Sequence, residues 1–492
     1  MIGLQTEQNF NNTVAYGDLL LTGRIPEILP ETLQGLIPIN QKMKRYLFML
    51  ILIITALTPI TCSQVQPKDI SGNESPANEI LNNMKKYQEV VEKISGRKFK
   101  TEVKGKIQSV EEFRDYVKKD IDNYFNEKGK WRQVALSKLG LLPGDYNLRQ
   151  GLENLVVSQA GAYYDPQSKC MYIVKINMPP MEIEIMLIHE MVHALQDQYY
   201  NLEKLIKQAD NDDQEAAIKY LVEGEATYIM TIAQLEKMGI TFAPDSPMLD
   251  ISFSRYKNMG RKELLELSMA QAESYKKTAP DLYESLIALK DTPDYLFWTL
   301  NAPYFRGACS IHSLVTIDAK ERNWRTIEDA YRNPPVSTEQ MIHPKKLTEP
   351  RDNPEPLSSP NLGADWTILS ENTLGELGFW ILFSNAAEGK ADEASEGWDG
   401  DKYILMQHNK TKDIVLYLST VWDSDNDAYE SFRAYHKVLT KLYPSAKIEE
   451  SGKDKQEITY SLPDNNRIVL TRKNNTWSAQ EILAGQDYKD KK

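Results

Sequence analysis

His189-Glu190-Met191-Val192-His193 reads H-E-x-x-H inside an apolar-periodic segment that starts at Met181. In a helix, residues four apart share a face about one turn up. Both imidazoles can therefore hold one metal ion, and Glu190 beside them can take a proton from a water. The chain has only six histidines in 492 residues, and composition alone would rarely place two of them around a glutamate in this way. Zinc is the ion that suits such donors. The bland alternative is a half-buried helix face with two histidines and a solvated glutamate.

A catalytic zinc needs three protein ligands and one open position. A histidine six residues past the motif, with a glycine between, is one solution, but Gln196 and Tyr199 stand at those positions. The other broad solution is a glutamate on a second helix. Leu221-Val-Glu223-Gly-Glu225-Ala offers two, on a helix predicted from about Gln214 to Leu235. Glu223 and Glu225 project about 200° apart, so only one of them can face the metal. Spacing leaves both open.

Around these residues stand candidates for supporting roles. Asp197, one turn beyond His193, can orient the free ring nitrogen of that histidine, or be an ordinary polar helix residue. Tyr304, Arg306 and His343 are candidate donors to a developing oxyanion. His312, His408 and His436 read as surface or packing residues. Trp398 and Trp422, with Asp399, Asp401 and Asp423, read as core tryptophans and turn aspartates, because the spacing lacks the terminal glutamate of an EF-hand loop.

The elements that must position these residues follow from pattern. A helix is predicted over 79–95, a strand over 98–107, and a helix opened by the capping box Ser109-Val-Glu-Glu112. Another helix runs from Trp131 to Leu141. The turn Asp165-Pro-Gln-Ser-Lys between two Tyr/Ile/Val-bearing runs predicts a hairpin. Pro179-Pro180 then introduces the motif helix, and residues 201–300 are mostly helical. Beyond a Pro-, Asn- and Ser-rich stretch at 350–363, helices are expected at 375–384 and 425–442. Strands are expected there near 402–407, 413–421, 457–462 and 467–472.

Composition bounds the function. A net charge of -12 with scattered basic residues argues against a nucleic-acid partner. Lys44-Arg45 followed by the apolar run Leu47–Leu57 has the form of a secretory signal, too short for a membrane span. Cys62 behind it resembles the lipidated cysteine of bacterial lipoproteins, although Thr61 and Pro59 fit that pattern poorly; lipidation and plain cleavage both stay open. Residues 1–42 show no pattern, so Met43 competes with Met1 as the start. Residues 63–78 read as a linker. Cys170 and Cys309 belong to no C-x-x-C pair, which leaves one disulfide or two separate thiols.

Val-Glu223-Gly-Glu-Ala resembles the Asn-Glu-Gly-x-Ala sequence of some gluzincin metallopeptidases, and this resemblance implies Glu223 as the third zinc ligand. More narrowly, the chain resembles a group of bacterial secreted or lipoprotein zinc-peptidase-like proteins. The resemblance rests on the Tyr-Asp-Pro hairpin, His-Glu-Met-Val-His-Ala-Leu-Gln-Asp-Gln, Val-Glu-Gly-Glu-Ala, Pro303-Tyr-Phe-Arg-Gly307, Ser337-Thr-Glu-Gln-Met-Ile-His-Pro344 and Gly397-Trp-Asp-Gly-Asp401. Together with the pattern of elements it gives an α+β chain, with a mainly helical zincin-like catalytic domain and small sheet expected over 79–349, and a smaller α+β domain over 364–485. It also implies an exported zinc metallopeptidase of the cell envelope or exterior that acts on peptides or proteins. A catalytically inactive zinc-peptidase-like binding protein of the envelope is the alternative, and a zinc hydrolase acting on something other than peptides is a third reading.

Overall fold

The computed structural model describes Leu81 and residues 83–484, except 125–126, 159–160, 176–179, 278–279, 318–321, 349, 361–363, 387–388 and 453–455. The signal segment, Cys62 and the linker at 63–78 lie outside the described residues. Within them, no helix is long and apolar enough to cross a membrane.

The N-terminal half runs α1 (Met84–Ser95), β1 (Lys104–Gln108), α2 (Val110–Tyr124), α3 (Glu127–Leu139), α4 (Leu148–Ser158), β2 (Ala162–Asp165), β3 (Cys170–Val174) and α5 (Pro180–Tyr200). It continues with α6 (Leu202–Lys207), α7 (Asp212–Lys237), α8 (Pro247–Asn258), α9 (Arg261–Tyr275), α10 (Pro280–Ala288), α11 (Asp294–Thr316), α12 (Trp324–Arg332) and α13 (Thr338–Ile342). The C-terminal part holds β4 (Trp366–Asn372), α14 (Gly375–Ser384), α15 (Ala391–Ser395), β5 (Trp398–His408), β6 (Ile414–Trp422) and α16 (Asp425–Leu442). It closes with β7 (Lys447–Ser451), β8 (Glu457–Ser461), β9 (Arg467–Lys473) and β10 (Thr476–Ile482). The class is mixed α+β.

Local chemistry accounts for the element ends. Ser109 and Glu112 form the reciprocal capping box, with the Ser109 amide donating to the Glu112 carboxylate at 2.7 Å and the Glu112 amide to Ser109 Oγ at 3.1 Å. The Asp165 carboxylate accepts the amides of Gln167 and Ser168, which bends the chain between β2 and β3. The resulting three-stranded sheet has the order β1-β3-β2, with β1 parallel and β2 antiparallel to β3. β2 is therefore an edge strand, next to α5.

Helix α7 starts at Asn211, whose side chain accepts the Gln214 amide, and its first turn carries Asp212, Asp213 and Glu215. From Ala217 to Leu235 it is buried nearly all round, the mark of a helix at the centre of a core. α5 and α11 pack on it. The α7–α11 crossing is closed by two glycines. A Cβ on Gly224 would lie 2.5 Å from the Gly307 carbonyl carbon, and one on Gly307 would lie 2.7 Å from the Tyr220 carbonyl oxygen. Both obstacles are backbone and cannot swing aside. We expect Gly307→Ala to lose about 1–3 kcal/mol through overpacking, despite the helix propensity alanine adds. A thermal melt unchanged from wild type would refute the close crossing.

Strands β4–β10 form a seven-stranded antiparallel sheet in the order β4-β5-β6-β10-β9-β8-β7. Trp398 and Trp422 are buried in it, and the Asp401 carboxylate accepts the amides of Leu374 and Gly375 at the start of α14. The stretch at 351–360 runs without regular structure where a boundary is expected. Yet a single apolar cluster extends from Met84 to Ala479. The α11–α14 contact through Trp298 and Trp380, ring centroids 5.0 Å apart, is part of that continuity. Strands β4, β7 and β10 are additions to the expected set. β7 is exposed along its whole length and shows no alternation for a sequence pattern to detect. Cys170 on β3 and Cys309 on α11 are separate free thiols.

Candidate metal centre

Helical spacing brings His189 and His193 to one face of α5, and the packing of α7 brings Glu223 to meet them. His189 Nε2 lies 3.1 Å from His193 Nε2 and 3.1 Å from Glu223 Oε2, and His193 Nε2 lies 3.2 Å from that same oxygen. A tetrahedral ion with bonds of about 2.0–2.1 Å spaces its ligand atoms about 3.3 Å apart. Two ring nitrogens and a carboxylate oxygen at the corners of such a triangle fit a zinc-type ion in both size and donor chemistry.

Glu190 shares the group, with one oxygen within 4.8 Å of a ring nitrogen of each histidine. Its Oε2 accepts the Tyr164 amide of edge strand β2 at 2.9 Å. The sheet thus fixes the carboxylate that sits between the two histidines in sequence. Burial pushes the Glu190 pKa up, and Glu223 adds to this while the two imidazoles and the Tyr164 amide oppose it. Burial also disfavours charge on His193, but the Glu223 carboxylate overrides it and holds that pKa up at about 10. The Glu223 carboxyl, which burial alone would raise, is pulled well below the usual carboxylate range by His193 and His189. The carboxylate thus favours a charged His193 and the imidazoles favour a charged Glu223.

The far side of His193 is held by Gln196, not by Asp197. Gln196 donates through its amide nitrogen to the Val222 carbonyl and to Glu225 Oε2, each at 2.9 Å. Its oxygen must then face His193 Nδ1, 2.8 Å away, and accept the proton there. That assigns the tautomer and leaves Nε2 to complete, with His189 and Glu223, the triad of candidate ligands. Asp197 is engaged elsewhere: its carboxylate accepts from the Tyr164 hydroxyl at 2.8 Å, the Lys169 ammonium at 2.7 Å and the Leu202 amide at 3.1 Å. Tyr164 of β2 and Lys169 of the β2–β3 turn claim it from the hairpin side. It ties the hairpin to α5 rather than tuning His193.

Glu225 likewise leaves the triad. It is fully buried, ion-paired to Arg97 and hydrogen-bonded to the Tyr331 hydroxyl at 2.8 Å. The chain Arg97–Glu225–Gln196–His193 was not foreseen from sequence. Gln196, three residues past His193, was the one local signal for it. Arg97 and Tyr331 come from distant segments.

Of the three candidate oxyanion donors, Tyr304 reaches the triad. Its ring stacks on His189 with centroids 5.6 Å apart, and its hydroxyl lies within electrostatic reach of Glu223 and Glu190. Burial, then the Glu223 and Glu190 charges, raise its pKa well above the phenol range, so the hydroxyl keeps its proton. Arg306 and His343 lie elsewhere. The Arg306 guanidinium stacks 3.7 Å over Trp380, and His343 Nε2 pairs with Glu376 at 2.9 Å. Arg306, Cys309 and Ser313 line a cavity with His343. They lie about 140–200° around α11 from Tyr304, on its opposite face. His312 pairs with Asp250 inside an aromatic cluster, while His408 and His436 bond to Thr411 and Tyr460.

Residues 367–487 match a domain of unknown function (DUF8575). This stretch covers the seven-stranded sheet with α14–α16 and holds none of the triad. No curated protein matches the chain. No solved structure matches it either.

Proposed function

We propose that this protein is a zinc-dependent metallopeptidase, with His189, His193 and Glu223 holding the metal. What carries the reading is the triangle of 3.1–3.2 Å between the two ring nitrogens and the Glu223 oxygen. A zinc ion held there would acidify a water and polarise a carbonyl.

The protein's own residues divide the remaining work. Glu190 accepts the proton of the attacking water and delivers it to the leaving amine. Its burial suits it to the first step, since a raised pKa makes the carboxylate a better base. Tyr304 donates a hydrogen bond from its protonated hydroxyl to the oxyanion. In β2, the Tyr164 amide points away from β3 toward Glu190, so the unpaired edge offers backbone groups to an extended peptide beside the base. Export and attachment to the envelope, through the signal or a lipid on Cys62, belong to the same proposal.

Two measurements test it. Elemental mass spectrometry of the dialysed protein should find about one zinc per chain, and an unbiased peptide library should be cut by the zinc-loaded form. Absence of retained zinc would end the proposal. Zinc without cleavage would turn it toward a binding protein.

The proton held by His193 adds a pH signature. Its pKa of about 10 means that zinc must expel a proton at neutral pH. Zinc affinity should therefore rise by about tenfold per pH unit between about pH 6 and 8, as followed by competition with a chromophoric chelator. A flat profile would contradict the pairing of His193 with Glu223.

A further inference from the structure

Two sequence stretches, of which the candidate metal centre uses only Tyr304, meet in one place. Pro303-Tyr-Phe-Arg-Gly307 and Ser337-Thr-Glu-Gln-Met-Ile-His-Pro344 supply Arg306, His343 and Pro344 to a cavity of about 350 Å³. Ile317 and Ile342 add apolar wall, and Lys257 and Lys345 stand at its exposed rim.

Arg306 is the unusual member. It is only 9% exposed, yet its guanidinium has no carboxylate partner among the described residues, and its Nε has no hydrogen bond. One face lies 3.7 Å over Trp380, with Trp298 at 5.7 Å. Stacking satisfies the faces of a guanidinium but leaves its in-plane N–H groups free, and these are the groups that grip an oxyanion. A buried charge left unpaired is costly, and a bound anion would remove that cost. The charge balance points the same way. His343 is matched by Glu376 at 2.9 Å, whereas the ammonium groups of Lys257 and Lys345 have no ion-pair partner among the described residues. With Glu396 within electrostatic reach of His343, these three cations without an ion pair of their own still suit a dianion better than a single carboxylate, and the isoleucine and proline walls suit an apolar substituent.

We propose that this cavity binds a phosphate monoester with a small apolar group, its phosphate on Arg306 between Lys257 and Lys345. The site lies on the face of α11 opposite Tyr304 and is independent of the metal. Phenyl phosphate is the probe, with inorganic phosphate and benzoate as controls, titrated calorimetrically into the whole protein with and without a zinc chelator. Phenyl phosphate should bind saturably at concentrations up to about 10 mM, at least about tenfold more tightly than benzoate. The Lys257→Glu/Lys345→Glu double variant, changed only at the surface, should weaken binding about tenfold or more at an unchanged melting temperature. Arg306→Lys, which keeps the charge but loses the planar fork, should weaken it as well. No saturable binding would overturn the proposal, as would binding unaffected by these variants. Binding abolished by chelation would assign the phosphate to the metal centre and overturn it too. Benzoate binding as tightly as phenyl phosphate would overturn the ligand class.

Discussion

Glu190→Gln is expected to leave zinc in place and lower hydrolysis by about 10²–10⁴-fold, the span of a positioned proton acceptor. The amide is isosteric, and its oxygen can still accept the Tyr164 amide that now holds Glu190 Oε2 at 2.9 Å. Geometry is thus conserved and only proton transfer is lost. Glu223→Gln is the contrasting variant. It removes the negative charge facing both ring nitrogens at 3.1 and 3.2 Å, so zinc itself should be lost. The fall in affinity should exceed the about 10–100-fold typical of losing an outer hydrogen-bond partner. Zinc content and library cleavage, measured on the same preparations, separate the two roles. Normal zinc in Glu223→Gln would remove that residue from the ligand set, and normal turnover in Glu190→Gln would remove the base.

Breaking the Arg97–Glu225 pair should have the largest effect on stability. The two side chains are 6% and 0% exposed, so water cannot replace a missing partner. Arg97→Met strands a buried carboxylate and should cost about 3–5 kcal/mol. The damage should also reach the metal. Glu225 fixes the Gln196 amide at 2.9 Å, and Gln196 fixes His193, so zinc affinity should drop about 10–100-fold although no ligand has changed. The double variant Arg97→Met/Glu225→Gln removes both charges and should recover part of the lost stability, because the penalty comes from the unpaired charge. Denaturant unfolding of wild type, Arg97→Met, Glu225→Gln and the double variant gives the coupling. Additive losses would mean that the pair is not coupled.

Much of the fold could be read from local pattern. Helices α14 and α16 fall at their expected bounds, and α16 shows why: Ser424 caps it by accepting the Asp427 amide, and its apolar face has helical period. The hairpin around Asp165 is equally local. β10 was not legible, since it lies between β6 and β9 in the sheet and owes its pairing to residues far away in sequence. β1 was expected over 98–107 but is confined to Lys104–Gln108, the stretch that pairs with β3.

The candidate metal centre divides along the same line. Sequence alone determined that two imidazoles and a glutamate would crowd one helix face, because a spacing of four residues is a property of the helix itself. It also narrowed the facing carboxylate to Glu223 or Glu225. Only the tertiary structure decided that Glu223 faces the imidazoles while Glu225 faces Arg97, that Gln196 rather than Asp197 holds His193, and that Tyr304 rather than Arg306 or His343 joins them. Each of those choices depends on how one helix is rotated against another. That rotation is set by long-range packing, above all the backbone contact of Gly224 with Gly307, which no local pattern encodes.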